Sequence, residues 1–405
     1  MSGFKEKEIL QNYKQTEIGR IPKEWKVMKL GELFYLEYGK GLTEKKRENG
    51  EYPVYGSNGI VGYHSRYIVK GPGIIVGRKG TIGSITWSNN NFWSIDTTYY
   101  ILLKKPEIDL KWLFYKLLLL KLERLNMATG TPGLNRDLVY RLKIHLPPLP
   151  EQRKIAEILS TVDRAIEKVD SAIAKTEQLK KGLMQELLTK GIGHKEFKDT
   201  EIGRIPRKWE ISKLGNVADI ETGKRDKGGC LSEGVVASIG GEHIDLNGNI
   251  LWDRMKFITE SFYKTLKQGK VKSGDILMVK DGATTGKACF VRNLPYEKVA
   301  INEHVFLIRS KKEVINEFLF YILFSKVGQT QIKIRFHGLI GGIKRGDIKS
   351  LTLHLPPLPE QQKIAEILST VDRKIELLRE KKERLERVEK GLMNVLLTGK
   401  KRVKY

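Results

Sequence analysis

Cysteine is almost missing from this sequence, with only Cys230 and Cys289 in 405 residues. Two thiols, both in the second half, cannot supply the Cys pairs of a zinc site. A reducing, intracellular setting is the simpler reading. Long apolar runs are missing too. Leu117 to Leu120 and Phe318 to Phe324 fall well short of the roughly 20 residues that cross a membrane. The Lys- and Glu-rich N-terminus is no signal peptide, so the expectation is a soluble, cytoplasmic protein with no membrane partner.

Enzymatic signatures are mostly missing as well. The seven histidines are scattered, with no HExxH or paired-ligand spacing, so no metal site is expected. Gly282-Ala283-Thr284-Thr285-Gly286-Lys287-Ala288 is one residue short of a phosphate loop and has no hydroxyl after the lysine to bind magnesium. Asp347-Ile348-Lys349 offers a carboxylate and a lysine without a second acid at useful spacing, and reads as a turn. There is no aromatic tetrapeptide for holding a flipped base and no glycine-rich loop suited to S-adenosylmethionine. No catalytic residue can be named.

What the chain has in excess is basic charge: 73 Lys and Arg against 48 Asp and Glu, a formal +25. That balance points to a polyanion, nucleic acid before anionic membrane. Its placement sharpens the point. Residues 151–190 carry +1, residues 360–400 carry +2 and the tail Lys401, Arg402 and Lys404 carries +3, which leaves +19 for the rest.

The sequence also repeats itself. Thr16-Glu17-Ile18-Gly19-Arg20-Ile21-Pro22 returns at Thr200 to Pro206, offset by 184, and Leu146-Pro147-Pro148-Leu149-Pro150-Glu151-Gln152, running on to Arg164, returns at Leu355 to Arg373, offset by 209. Twenty-five extra residues therefore lie inside the second block. A duplicated frame with divergent contents presents two different surfaces in one geometry.

After each proline cluster a long helical pattern begins, because proline is tolerated in a first helical turn but not beyond it. Ile155, Val162, Val169 and Leu183 share one heptad column in the first helix, interrupted by Thr176. Ile364, Val371, Leu378, Leu385 and Leu392 form the cleaner column of the second. Apolar columns flanked by charges of both signs read as a coiled-coil seam. The paired ends Lys181-Gly182-Leu183-Met184 and Lys390-Gly391-Leu392-Met393 make the helices equally long, about 60 Å at 1.5 Å per residue. The order block, helix, block, helix implies an antiparallel pair. Asn12 to Trp25 matches Glu196 to Trp209, so the N-terminal segment should dock near the end of the second helix and close a pseudo-two-fold ring.

The blocks read as mixed α/β: runs such as Gly73 to Val76, Ser84 to Trp87 and Thr98 to Leu103 alternate with Gly- and Asn-rich turns. Helices follow around 110–125 and 314–327, where Phe114-Tyr115 and Phe320-Tyr321 are expected in the core. The fold class is α+β, two mixed α/β domains separated by two long helices in an antiparallel coiled coil, with a pseudo-two-fold internal repeat. The divisions are 1–150, 151–190, 191–359 and 360–405.

This frame resembles one family closely, the DNA-specificity subunits of type I restriction-modification enzymes, over essentially the whole chain. Ile-Gly-x-Ile-Pro-x-x-Trp at Ile18 to Trp25 and Ile202 to Trp209 is similar to the family's lead into each target-recognition domain, and the Leu-Pro-Pro-Leu-Pro-Glu-Gln motifs at 146 and 355 to its lead into each conserved helix. The resemblance implies a non-catalytic subunit whose two domains each read half of a split double-stranded DNA target. It also implies helices that space the halves and seat two DNA adenine methyltransferase (modification) subunits, and a motor-nuclease (restriction) subunit that joins for cleavage. S-adenosylmethionine, ATP and Mg would then act on those partners, with no cofactor in this chain. A stand-alone DNA-binding or architectural protein is the competing reading, but it gives no reason for the paired helix ends.

Candidate DNA contacts lie in the variable blocks. Gly77-Arg78-Lys79-Gly80-Thr81-Ile82-Gly83 aligns with Val279-Lys280-Asp281-Gly282-Ala283-Thr284-Thr285-Gly286. Glycines let backbone approach phosphate while Arg78, Lys79 or Lys280, with Thr81, Thr284 and Thr285, reach outward; an ordinary hairpin demands the same glycines, and both readings stay open. Ser57 and Asn58 form a polar turn able to enter a groove. Arg136, Lys344 and Arg345 precede the proline motifs, and Lys40 and Lys224 each follow a matched glycine. Because the blocks differ, the halves of the target should differ too.

Overall fold

The computed structural model describes residues 12–125, 133–337 and 342–404. The chain forms two compact units, residues 1–171 with 379–405, and residues 172–378.

The first unit is built on a four-stranded antiparallel sheet. Phe34–Tyr38 pairs with Thr98–Leu103, which pairs with Gly73–Gly77, which pairs with Ile85–Ser88. A smaller sheet centres Tyr52–Gly56 between Gly59–His64, antiparallel, and Trp93–Ser94, parallel. The helix Leu110–Leu120 starts from an Asp109 cap that accepts from the Trp112 amide, and buries Trp112, Leu113 and Tyr115. It ends where Lys121 turns left-handed (φ 52°), a few residues earlier than the apolar run suggests.

The second unit repeats this plan strand for strand. Ala218–Thr222, Val305–Ser310, Ile276–Val279 and Ala288–Phe290 form its four-stranded sheet, and Lys256–Ile258, Val236–Ile239 and Lys298–Ile301 its smaller one, again with one parallel pair. The helix expected over 314–327 is shorter, Asn316–Phe324. It breaks at Ser325, whose hydroxyl accepts from the Gly328 amide and starts a second helix, Lys326–Ile334. Most of the extra length lies in two connections. Two residues, 57–58, join the first two strands of the small sheet in the first unit, against 240–255 in the second, and residues 259–275 replace 65–72. Asp347, read above as part of a turn, lies in the short helix Arg345–Lys349, where its carboxylate accepts from the Lys344 amide.

The long helices run Leu149–Leu187 and Leu358–Leu396. In the first unit the beginning of the first (Ile155, Ala156, Leu159) shares a core with the end of the second (Leu396, Leu397). In the second unit the roles reverse, with Ile364, Ala365 and Leu368 beside Met184, Leu187 and Leu188. Within each unit the helical segments therefore run antiparallel. Of the seam candidates, Ile155, Val169 and Ile364 are buried; Val162, Leu183, Val371, Leu378, Leu385 and Leu392 are half-buried.

The repeated motifs are the joints. The Trp25 indole donates to Glu151 at 2.8 Å, and the Trp209 indole to Glu360 at 3.1 Å. Gln152 accepts from the Asp109 amide and donates to the Pro147 carbonyl, as Gln361 does with Ile315 and Pro356. A buried carboxylate needs a cation. Arg402 supplies it to Glu151 at 2.7 Å, and His194 sits on Glu360 at 2.9 Å. Each of these two partners stands three residues beyond a left-handed glycine, Gly399 or Gly191, where a Cβ would strike Pro22 or Trp209. Arg402 also reaches Glu24, so the N-terminal lead docks against the end of the second long helix.

Tyr115 and Tyr321, both buried, donate their hydroxyls to Asp163 and Asp372. These bonds tie each sheet domain to a long helix. Lys116, buried beside Tyr115, donates to the Leu397 carbonyl at 2.8 Å at the end of the second helix, and burial pushes its ammonium down to about 8. Its counterpart is Ile322, which makes the joints alike but not identical.

One joint carries a charge mismatch. Lys180 pairs with Asp372 at 2.6 Å, and Arg292 approaches the same carboxylate at 3.3 Å. The counterpart of Lys180, at the 209 offset, is Glu389, and it meets Asp163 within a setting that includes Tyr115, Lys111 and Glu386. Burial, then the Asp163 charge, pushes the Glu389 carboxyl from its ordinary 4.5 up to about 7. A raised carboxyl is protonated in the folded state before the unfolded one, so stability is full below pH 4.5, falls as pH rises through about 7 and then levels. Glu389→Lys should abolish that fall. Above pH 7 it should raise the melting temperature by about 2–4 °C, the scale of roughly 1 kcal/mol in a domain of this size. Calorimetry between pH 5 and 8 checks this, and identical profiles for the two proteins would count against the carboxylate pair.

No helix among the described residues is long and apolar enough to cross a membrane. Cys230 is exposed, Cys289 is buried, and both are free thiols.

Candidate nucleic-acid interface

Each four-stranded sheet feeds its third strand into a glycine loop, and the backbone fixes both loops identically. In the first unit the Arg78 amide donates to the Thr97 carbonyl and the Leu134 amide to the Arg78 carbonyl, while the Gly83 amide closes the loop on Gly77. In the second, Lys280 bonds His304, Ile343 bonds Lys280 and Gly286 closes on Val279. Arg78 thus stands where Lys280 stands, with one more residue in the second loop. Both segments are hairpin turns; Lys79 is exposed on the first, while Arg78 and Lys280 are half-buried.

The glycine before each matched lysine is required by close approach. A Cβ on Gly39 would lie 2.1 Å from the Ile95 carbonyl, and one on Gly223 2.2 Å from the Asn302 carbonyl. This contact holds the segments 38–40 and 222–225 against the strand ends that also bind the glycine loops. Lys40 and Lys224 are both exposed there.

In the first unit the parts converge. Arg78 donates to the Asp96 carbonyl at 2.7 Å, which fixes the direction of its arm. Its guanidinium lies 4.9 Å from the centre of the Tyr38 ring, and that of Arg136 lies 5.3 Å away. Tyr38 in turn packs on Tyr99 at 5.0 Å, whose hydroxyl burial and the Tyr38 hydrogen bond push up to about 12. The Thr81 amide donates to Ser57 Oγ at 3.3 Å, and Ser84 Oγ donates to the Ser57 carbonyl. Arg78, Lys79, Thr81, Ser57 and Arg136 are thereby brought together, with Asn58 exposed at the turn. The product is a rigid basic and aromatic corner.

The second corner has different chemistry on the same frame. Lys280 Nζ donates to the Glu303 carbonyl at 2.9 Å and lies 3.5 Å from Asp281. Asp281 pairs with His304, and Arg225 approaches Glu303 at 3.8 Å. A cavity of about 360 Å³ opens beside it, lined by Lys224, Arg225, His243, Asn302 and His304 among others. Thr285 Oγ1 is turned back on the Gly282 carbonyl, and Thr284 accepts from the Lys287 amide through its own carbonyl; both shape the loop. Lys344 and Arg345 are exposed at the start of a short helix whose approach is fixed by the Ile343–Lys280 bond.

Sequence reasoning missed Tyr38, Asp96, Asp281 and His304. Nothing local marks the first two, which reach the corner from 40 and 18 residues away from Arg78. Asp281 was visible as the acidic residue standing where the first loop has Lys79. Among the described residues no group of His, Cys, Asp and Glu is arranged to hold a metal ion.

The type I restriction modification DNA specificity domain matches twice, at residues 22–175 and 206–387. The chain is 32% identical over 97% of both chains to the type I restriction enzyme MjaVIII specificity subunit of Methanocaldococcus jannaschii. It is also 32% identical, with the same coverage, to that organism's putative MjaX specificity subunit. In fold it is similar to the type I restriction-modification S subunit from M. genitalium, with a TM-score of 0.66 and 18% identity over 92% of this chain and 96% of that one. Two matched copies of the domain, on a duplicated frame with a basic corner in each unit, place this chain in the family of type I restriction-modification DNA-specificity subunits.

Proposed function

We propose that the two corners read the two halves of a split, asymmetric duplex target, the first through Arg78, Lys79, Arg136 and Lys40, the second through Lys280, Lys224, Lys344 and Arg345. Ser57, Asn58, Thr81, Thr284 and Thr285 shape or extend these surfaces. The long helices set the distance between the halves and seat two adenine methyltransferase subunits, and a motor-nuclease subunit joins for cleavage. S-adenosylmethionine, ATP and magnesium act on those partners.

The observation that carries this reading is one backbone frame holding different side chains: Arg78, Lys79 and Thr97 in one unit, Lys280, Asp281 and His304 in the other. Phosphate contacts position a protein on DNA, and base edges specify the sequence. An arginine held at a fixed angle suits the O6 and N7 of guanine, worth about 1–3 kcal/mol of discrimination.

Replacing Arg78 by alanine should relax the target by tenfold or more at one base pair of one half, and Lys280→Ala should relax the other half. Methylome sequencing of cells carrying each variant with the methyltransferase partner reads both. An unchanged target in both variants, at equal expression, would contradict the assignment.

A further inference from the structure

The basic corner of the first unit has an apolar neighbour. Tyr52–Gly56 and Gly59–His64 are joined by Ser57 and Asn58 alone, and a bulge between Val54 and Tyr55 shifts their register. Successive strand residues ordinarily face opposite sides. Here the shift leaves Val61 unopposed, and Ile60 and Val61, 52% and 42% exposed, both face solvent. Tyr63 is exposed as well. A β-ribbon with bare branched side chains is a liability that a protein without a use for it avoids.

The ribbon is held firmly to the corner. Ser57 is bonded on both sides to the glycine loop, through the Thr81 amide and the Ser84 hydroxyl. Arg47 Nη1 donates to the Val61 carbonyl at 2.6 Å, placing a cation beside the tip. The second unit has no such feature at this place, since residues 240–255 replace the two-residue turn.

We propose that this ribbon enters the DNA major groove and that Ile60 and Val61 contact the methyl group of a thymine in the half-target read by the first unit. Gly59–His64 is the free edge of the small three-stranded sheet, the major groove is wide enough for such a hairpin edge, and the thymine methyl is the apolar group that base edges present there. The cations Arg47, Arg78, Lys79 and Arg136 beside the tip match the phosphates flanking that groove. This inference rests on the reading of the first unit as a half-target reader.

The test uses the complex with its methyltransferase partner and duplexes carrying the target defined by methylome sequencing. Each thymine is exchanged in turn for deoxyuridine, which removes only the methyl group. One exchange in one half should weaken binding by about threefold to tenfold, the scale of a single buried methyl. The same exchange should leave the Ile60→Ala, Val61→Ala double variant unaffected. Should that variant fold poorly, Ile60→Ser and Val61→Ser, which carry no methyl group, take its place. The inference is overturned if no exchange matters to the native complex, or if the variants keep the native sensitivity. Sequence-specific, salt-sensitive binding with no response to uracil defeats the methyl contact alone, whereas loss of sequence-specific binding altogether defeats the underlying reading.

Discussion

Affinity of the chain for duplex DNA should fall by roughly 10³- to 10⁵-fold between 50 and 200 mM salt if about six to ten phosphates are neutralised. The expectation comes from the cations of the two corners: Lys40, Arg78, Lys79 and Arg136 in one, Lys224, Lys280, Lys344 and Arg345 in the other. Each phosphate neutralised contributes about −0.9 to the slope of log affinity against log salt. Lys280 should count for less, because Asp281 stands 3.5 Å from its ammonium. Removing Lys79 and Arg136 together should therefore flatten the slope by about 2, and removing Lys280 by less than 1. Fluorescence anisotropy across a salt series measures this, and an affinity indifferent to salt would contradict a charge-driven surface.

The frame was legible in the sequence because its joints use conspicuous residues. Trp25 and Trp209 recur because each must reach a glutamate, the buried Glu151 or the half-buried Glu360, and the proline motif recurs because those glutamates and the adjoining glutamines sit in the first turn of each long helix. The heptad columns were legible for the same reason, since apolar residues at that spacing have nowhere else to go. The corners were harder. Tyr38 touches Arg78 and Arg136 only after three separate chain segments have folded together, and no local pattern announces such a meeting. The break at Ser325 was hidden because a single hydroxyl, capping the next helix, interrupts an otherwise continuous apolar run. The Glu389 mismatch was readable at the 209 offset, but its meaning needed the partial burial of Glu389 against Asp163.

A second large effect is expected from the long helices. Each spans 39 residues, about 60 Å at 1.5 Å per residue. A heptad inserted into each, after Val169 and after Leu378, keeps the seam in phase and lengthens the pair by about 10 Å. With about 3.4 Å of rise per base pair, the gap between the half-sites should grow by roughly three base pairs. Three base pairs also turn the duplex by about 100°, so DNA distortion or a swivel of the domains must absorb the mismatch, and a gain of two is within the same account.

Methylome sequencing of cells carrying the lengthened chain with its methyltransferase partner reads the half-sites and the gap between them at once. Unchanged half-sites separated by a gap two or three base pairs longer would be the result of two readers held apart by a ruler. An unchanged gap, or altered half-sites at the old spacing, would mean that the helices do not set the distance and that this account of the protein is wrong.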